Sequence, residues 1–199
     1  IEAALLGMDD SYVAAQGPPG TGKTHVGGHV IARLVARGWR IGVCAQGHAA
    51  VENMLSAVVR AGADPMQVGK EPKATTDPAW TALAKADDLA TFASRHDEAG
   101  RGYVIGGSAW DLTNEKRVDR GQLDLLVIDE AGQFSLAKTL AVSVATRRLL
   151  LLGDPQQLPQ VSTGVHAQPV DESALGWLAD GAPLLPDHLG YFLETTRRM

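Results

Sequence analysis

The chain has 199 residues, of which 45% are hydrophobic, and a formal net charge of −5. This length is enough for one well-filled hydrophobic core and hardly enough for two. The acidic net charge argues against a protein that binds nucleic acid over most of its surface, although not against a local basic groove. The one cysteine, Cys44, excludes an intramolecular disulfide and is typical of a reducing compartment such as the cytoplasm, and no stretch approaches the roughly 18 apolar residues of a membrane-spanning helix.

The first predicted strand, Val13–Ala15, leads into a loop that fits the phosphate-binding pattern G-x-x-x-x-G-K-[S/T], and a predicted helix follows at Val26–Ala36. Glycines let backbone N–H groups converge on phosphate oxygens, and the amino terminus of the helix adds its dipole. In this pattern Lys23 reaches the β- and γ-phosphates, and the Thr24 hydroxyl is a ligand of Mg²⁺. A chance match in an ordinary loop is the alternative. The predicted phosphate-binding residues are Gly17, Pro18, Pro19, Gly20, Thr21, Gly22, Lys23 and Thr24.

The next segments continue the alternation of strands and helices and then interrupt it. A strand is predicted at Ile41–Ala45, where the apolar pattern favours a buried thiol for the cysteine, and a helix at Ala49–Ala61. From residue 62 to residue 100, three prolines and mixed charges predict a surface insertion with one helix, at Ala82–Ala93, and no second core. Another strand is predicted at Tyr103–Ile105.

A continuous apolar run, Leu125–Ile128, predicts a strand that is buried on both faces. It ends in Asp129 and Glu130, and the carboxyl end of a central strand is where an open α/β sheet holds its ligand. Asp129 is placed to hold Mg²⁺ through water, and Glu130 to orient and deprotonate an attacking water. A solvated acidic turn is the alternative.

The last elements are a helix at Leu136–Ala145, a strand at Leu149–Leu152 and a short helix near Glu172–Leu178. The polar turn after that strand is placed to sense a γ-phosphate, because a glutamine can donate to a phosphate oxygen and accept from water at once. This favours Gln157 over Gln156, and an ordinary turn with both glutamines in solvent is the alternative. The alternation of elements predicts an α/β fold with a parallel sheet and helices on both faces.

With these motifs the chain resembles the first RecA-like domain of a superfamily 1 helicase. It is most similar to the subfamily that includes the helicases of nonsense-mediated decay and related DNA-processing enzymes. The segments 160–166 and 173–178 are similar to segments of large bacterial helicases that carry a fused nuclease-like domain. The matching segments are Gln16–Thr24 (motif I), Val43–Val51 (motif Ia), Val127–Gln133 (motif II), Gly153–Leu158 (motif III) and Leu193–Met199 (the start of motif IV).

The resemblance implies a RecA-like P-loop NTPase that uses ATP and Mg²⁺. By family likeness Lys23 and Thr24 bind phosphate and Mg²⁺, and Asp129 completes the metal site. Glu130 is the catalytic base, and Gln157 couples the γ-phosphate to the nucleic-acid side.

The resemblance also assigns roles to two arginines at the start of motif IV. Arg198 aligns with an arginine that approaches the γ-phosphate, and a solvated chain end is the alternative. Arg197 stands where the family often has an aromatic residue that stacks on adenine, and guanidinium can stack as well. The adenine-recognising glutamine of the family is expected upstream of Ile1.

The resemblance also indicates a nucleic-acid face. Gln46, Gly47 and His48 precede a predicted helix, so their N–H groups are placed to contact a strand phosphate, although Gly47 replaces the more usual serine or threonine. A capping or structural role is the alternative for His48. Ser108 lies in a loop similar to one that touches nucleic acid in the family, while the size of Trp110 favours a core position over a base-stacking platform. A short basic run predicts only a solvated face, at Lys116, Arg117 and Arg120.

We therefore expect residues 1–199 to be a single RecA-like ATPase domain cut from a longer chain. It would serve a helicase or translocase that steps along single-stranded DNA or RNA together with a second RecA-like domain. That domain would supply an arginine finger, worth about 10³ to 10⁵ in rate, so the isolated chain is expected to hydrolyse ATP very slowly. The alternatives are a P-loop switch or assembly ATPase without a nucleic-acid role, and a non-catalytic scaffold.

Overall fold

The structure is a computed structural model that describes residues 1–157 and 166–194. Within these ranges the strands are β1 (Ser11–Gln16), β2 (Arg40–Cys44), β3 (Val68–Lys70), β4 (Thr81–Ala82), β5 (Tyr103–Gly107), β6 (Leu125–Ile128), β7 (Arg148–Gly153) and β8 (Gly190–Phe192). They form one sheet in the order β4-β3-β5-β2-β6-β7-β1-β8, and every pair of neighbours runs parallel. The predicted parallel α/β architecture is confirmed.

Apart from α1, which precedes β1, the helices of the described residues follow strands along the chain and lie between them, as the alternation predicts. They are α1 (Glu2–Gly7), α2 (Lys23–Ala36), α3 (His48–Arg60), α4 (Asp88–Glu98), α5 (Ala109–Thr113), α6 (Leu136–Ser143) and α7 (Ala174–Ala179). The amino ends of α6 and α7 are capped by serine side chains: Ser135 accepts a hydrogen bond from the Lys138 N–H, and Ser173 from the Gly176 N–H. These caps satisfy amide groups that a helix leaves unpaired at its start.

The core consists of two apolar clusters on the two faces of the sheet. Side chains of a strand alternate between faces, so Leu125 and Val127 of β6 join the cluster beneath α2 and α3, while Leu126 and Ile128 join the one beneath α6 and α7. All four are fully buried, as the continuous apolar run predicts. Cys44 is buried too, as predicted, and burial raises the pKa of its thiol to about 12.

The segment from residue 62 to residue 100 contributes more to the sheet than its sequence pattern indicates. Besides α4 it provides β3 and β4, which extend the sheet beyond β5, and Trp80 joins the core cluster. The prediction that a helix starts at Ala82 is wrong: Ala82 pairs with Lys70 in the sheet, and α4 begins at Asp88. Pairing with a neighbouring strand has outweighed the helix propensity of this short stretch.

A buried ion pair joins this segment to α3. Lys70, 2% exposed, donates from Nζ to the Glu52 carboxylate at 2.8 Å, and Glu52 is 4% exposed. The same carboxylate accepts the N–H groups of Lys73 and Thr75, each at 2.7 Å. Burial alone would raise the pKa of Glu52, but the hydrogen bonds from Lys70 and from the backbone outweigh it and hold the pKa below its usual value.

Candidate active site

Motifs I, II and III meet at one edge of the sheet. They follow β1, β6 and β7, and the carboxyl ends of parallel strands lie at the same edge. A cavity of about 540 Å³ opens there. The sequence-predicted residues that line it are Pro19, Gly20, Gly22, Lys23, Thr24, Asp129, Glu130 and Gln157.

The phosphate loop has the backbone that its glycines permit. Gly20 and Gly22 have φ angles of 90° and 81°, in the region that side chains disfavour, and Gly22 is the residue from which α2 starts. Thr21 is buried, and its hydroxyl donates to the Pro18 carbonyl at 2.9 Å. The Gly17 N–H donates to the carbonyl of the last residue of β7 at 3.1 Å, which fixes the loop to the sheet.

Lys23 lies in the first turn of α2 with its ammonium group folded over the loop. Its Nζ donates to the carbonyl oxygens of Gly17 and, at 3.0 Å, of Pro18. Desolvation lowers the pKa of Lys23, and the negative charges of Asp154 and Asp129 oppose that shift. A cation held at the loop between two carboxylates is placed to meet phosphate oxygens.

Asp129 and Glu130 are neighbours with opposite environments. Asp129 is 5% exposed, and burial raises its pKa to about 6, with a further rise from the Glu130 charge. The Glu130 N–H and the Thr24 hydroxyl hydrogen-bond to the Asp129 carboxylate and oppose the rise. Glu130 is exposed and has a φ angle of 56°, a strained backbone conformation for a non-glycine residue, and such residues are enriched at functional sites.

Motifs II and III pack backbone against backbone. The Ala131 N–H donates to the Leu152 carbonyl at 2.8 Å, and a Cβ on Gly132 would come within 2.0 Å of the Asp154 carbonyl oxygen. Glycine is therefore required at residue 132 by this close approach.

The close approach of the two motifs also brings two glutamines together. Gln133 Nε2 donates to Gln157 Oε1 at 3.1 Å, and Gln157 lines the cavity. Gln156 is exposed, and its side-chain amide donates to the Pro183 carbonyl at 3.2 Å. Gln157 therefore lies at the cavity, whereas Gln156 points to another loop, and the role of Gln157 stays a prediction.

The residues predicted for nucleic acid lie at the same edge, beyond β2 and β5. Gln46 Oε1 accepts a hydrogen bond from Lys138 of α6 at 3.0 Å. Gly47 immediately precedes α3, and His48, which is exposed, is the first residue of that helix. Although His48 and Ser108 are 60 positions apart in the numbering, they line the same cavity, of about 230 Å³. No motif or spacing in the sequence indicated that Lys138 would contact Gln46.

Ser108 caps α5, which the sequence analysis did not foresee. Its backbone N–H donates to Asp111 Oδ2 at 2.7 Å, and its hydroxyl accepts the Asp111 N–H at 3.3 Å, which together form a reciprocal capping box. The Ser108 hydroxyl also donates to Asp111 Oδ2 at 2.7 Å. The spacing of a serine and an acidic residue three positions later carried that signal. A phosphate would have to compete with Asp111 for the Ser108 hydroxyl.

Two interpretations near Ser108 need correction. Trp110 is 84% exposed, so the predicted core position is wrong, because the short helix α5 buries Leu112 instead. Arg117 is not simply part of a solvated basic run: it is partly buried and paired with Asp87 at 2.7 Å and with Asp111. Lys116 and Arg120 are exposed, as predicted. Arg198, with the rest of 195–199, lies outside the described residues.

In the part of the chain that the structure describes, we find no helix that is both long and apolar enough to cross a membrane. The family model described as an AAA domain matches residues 2–174.

Comparison with curated proteins finds relatives named DNA replication ATP-dependent helicase/nuclease. DNA2 of Saccharomyces cerevisiae is 30% identical over 156 residues, which are 75% of this chain and 10% of that protein. JHS1 of Arabidopsis thaliana is 25% identical over 157 residues, 79% of this chain and 12% of that protein. The chain thus spans about a tenth of the length of these two relatives.

Among solved structures, the crystal structure of Arterivirus nonstructural protein 10 (helicase) has the same fold, with a TM-score of 0.50 and 19% sequence identity. The match covers 94% of this chain and 35% of that one.

Proposed function

The chain belongs to the AAA domain family, with the RecA-like P-loop fold of superfamily 1 helicase motor domains, and from this membership we propose that it is the ATP-hydrolysing motor domain of a helicase or translocase. The reaction is attack of water on the γ-phosphate of ATP, coupled to movement along single-stranded DNA or RNA. One observation carries the proposal: the side chains expected from three separate motifs converge on one cavity at the carboxyl edge of the sheet.

The donor set of the cavity fits a magnesium–nucleotide complex. Asp129 is a buried carboxylate whose charged form is penalised by desolvation, and a bound cation would relieve that penalty. Together with the Thr24 hydroxyl it offers the oxygen ligands that Mg²⁺ prefers. When bound, the ion neutralises charge on the phosphates. Lys23 and the amide groups of the phosphate loop would bind the phosphate oxygens.

Glu130 is the residue best placed to act on water. It is exposed at the cavity while its neighbour is buried, so one carboxylate can accept a proton from water while the other stays with the metal site. Gln157, held by Gln133, is placed at the same cavity to contact the γ-phosphate or the attacking water. Removing a general base typically costs 10²- to 10⁴-fold in rate.

The coupling to nucleic acid would run along the edge of the sheet. Gln133 belongs to motif II, and α6 follows that motif directly and reaches Gln46 of motif Ia through Lys138. A shift of motif II on hydrolysis would therefore be felt at the loop that precedes α3. Gln46, Gly47, His48 and Ser108 are the residues that we propose contact the strand.

We propose further that the domain works inside a longer protein. A second RecA-like domain would close over the nucleotide, and Arg198 would contribute near the junction of the two. Closure on ATP and reopening after hydrolysis would move the strand by one step.

The test is ATP turnover by the full-length protein with and without single-stranded DNA and RNA. We expect stimulation by at least one nucleic acid in the wild type, loss of turnover in Lys23→Ala, and wild-type behaviour in Lys85→Ala, which removes an exposed lysine outside the site. Turnover that is indifferent to both nucleic acids would instead support the switch or assembly ATPase, and unchanged turnover in Lys23→Ala would refute ATP hydrolysis at this site.

A further inference from the structure

Trp110 is a large aromatic side chain that neither the core nor the ATP site uses. It lies in the first turn of α5 and is 84% exposed. Of the four tryptophans, Trp80 is buried, Trp39 lies under the guanidinium of Arg148, and Trp177 is 51% exposed. Leaving an indole in water forgoes the gain of burying it, and aromatic side chains are enriched at binding interfaces, so Trp110 at this edge is a candidate for contact with a ligand.

The backbone beneath Trp110 is held rigidly. The capping box between Ser108 and Asp111 encloses it, since the two residues stand on either side of Trp110 and bond to each other in both directions. Arg117 then ties Asp111 to Asp87. A ligand that stacks on the indole therefore meets a fixed support, and little chain entropy is lost on binding.

The surroundings of Trp110 suit a nucleotide. Trp110 lies shortly after β5, at the edge where the phosphate loop also lies. A cavity of about 230 Å³ is lined by its neighbours Ser108 and Asp111, and its charged lining has one more cation than carboxylates: Lys70, Lys73 and Arg117 against Glu71 and Asp111. An aromatic face beside cationic and hydroxyl groups matches a molecule that has flat bases on a charged backbone.

We propose that Trp110 is a stacking platform for a base of single-stranded nucleic acid. This inference rests on the proposed function and adds the residue that holds the strand between steps. The contact depends on a π face that every base has, so it works for DNA and RNA alike and with little preference for sequence.

The experiment measures binding of fluorescein-labelled oligo(dT) and oligo(rU) to the full-length protein by fluorescence anisotropy, without ATP. Replacing a stacking aromatic by alanine is expected to weaken binding about 5- to 150-fold, so Trp110→Ala should show a loss in that range. Trp110→Phe should retain most of the affinity. Trp177→Ala, which removes another exposed indole, should bind like the wild type.

A second measurement separates stacking from a general effect on structure. An oligonucleotide that carries abasic residues should bind the wild type more weakly than the intact strand, whereas Trp110→Ala should bind the two more nearly alike, because the platform that distinguishes them is gone. ATP turnover without nucleic acid should be unchanged in Trp110→Ala.

The possible failures are distinguishable. A wild-type protein that binds neither oligonucleotide refutes the proposed function and this inference with it. A wild type that binds, together with Trp110→Ala that binds equally well, overturns this inference alone.

Discussion

A lysine and a glutamate occur together in two regions of the molecule, and the two pairs of residues, or sets, have different roles. Lys23 and Glu130 line the cavity at the end of β1 and β6, where Lys23 bonds to main-chain carbonyls and Glu130 is exposed. Lys70 and Glu52 lie between β3 and α3, both almost fully buried, and bond to each other at 2.8 Å.

The difference shows what distinguishes a structural charge from a reactive one. Glu52 accepts hydrogen bonds from one ammonium group and from backbone N–H groups, so its carboxylate is committed and can take little part in chemistry. Glu130 is exposed at a cavity, with a backbone conformation that costs free energy, and is positioned for a substrate. We therefore expect substitutions in the first set to affect turnover and those in the second to affect stability.

The largest expected effect is that of Glu130→Gln. Loss of a general base should lower ATP turnover by about 10²- to 10⁴-fold, while ATP affinity and the free energy of unfolding stay close to those of the wild type. Steady-state turnover, nucleotide titration and urea unfolding measure the three quantities. Glu98→Gln, at an exposed position in α4, is the matched control. Turnover of Glu130→Gln within a few-fold of the wild type would show that Glu130 is not the general base.

Glu52→Ala should show the opposite pattern. It leaves the Lys70 charge buried without its partner, which typically costs about 3–5 kcal/mol in the free energy of unfolding. Urea unfolding measures that loss, and turnover per folded molecule should remain within a few-fold of the wild type.

The double variant Glu52→Ala/Lys70→Met tests the cause of that loss. Because it removes both charges, it should recover much of the stability. The surface pair of Lys73 and Glu71 provides the control, and Glu71→Ala should cost less than about 1 kcal/mol. A double variant as unstable as Glu52→Ala would show that the buried charge is not the reason.

The two sets also differ in how far the sequence predicts them. The cavity set is predicted because its chemistry requires certain residues at fixed spacings after strands, as with Lys23 in the phosphate loop and Glu130 after a run of apolar residues. Lys70 and Glu52 have no such signature, since nothing in the spacing of 18 positions reveals that one strand and one helix bring them together.

Local competition explains the remaining errors. The strand at Thr81–Ala82 is too short for a period to show, and the exposure of Trp110 depends on which side of a five-residue helix faces the core. A side chain's size indicates that burial would be favourable, but not that the fold provides a place for it.

A smaller effect is expected from Gly132→Ala, which tests the backbone contact between motifs II and III. The added methyl would come within 2.0 Å of the Asp154 carbonyl oxygen, so one of the two loops must move, at a cost of about 1–3 kcal/mol in stability. The shift would also displace Gln133 from Gln157 and lower turnover. Gly47→Ala is the stability control because its Cβ would meet nothing within 4 Å. Equal stabilities for the two variants would mean that the loops are not tightly packed.

The smallest effect is expected for Asp124→Asn, at the edge of the sheet opposite the cavity. Asp124 forms an ion pair with Arg40 there, and this pair is neither fully buried like Lys70 and Glu52 nor open to a cavity like Lys23 and Glu130. Arg40 donates to the Asp124 carboxylate from Nε at 3.0 Å, from Nη2 at 2.9 Å and from its backbone N–H at 2.9 Å. Burial alone would raise the pKa of Asp124, but the hydrogen bonds from Arg40 outweigh it and lower the pKa from 3.8. The charged form is thus favoured in the folded protein. Its contribution to the free energy of unfolding, about 1 kcal/mol, is present above pH 3.8 and is lost as the pH falls through the lowered pKa of the folded protein.

Urea unfolding of the wild type and of Asp124→Asn between pH 7 and pH 3 measures this contribution. The difference in unfolding free energy should be constant down to about pH 4 and should shrink below it, because Asp124 then takes up a proton in the unfolded chain while it stays charged in the folded protein, which favours unfolding. Asp9→Asn, at a side chain 77% exposed, should show little difference at any pH. A difference for Asp124→Asn that grows as the pH falls would mean that the folded protein favours the protonated carboxyl group. Asp124 would then resemble the desolvated Asp129, and not Glu52, whose charge is stabilised by its hydrogen bonds.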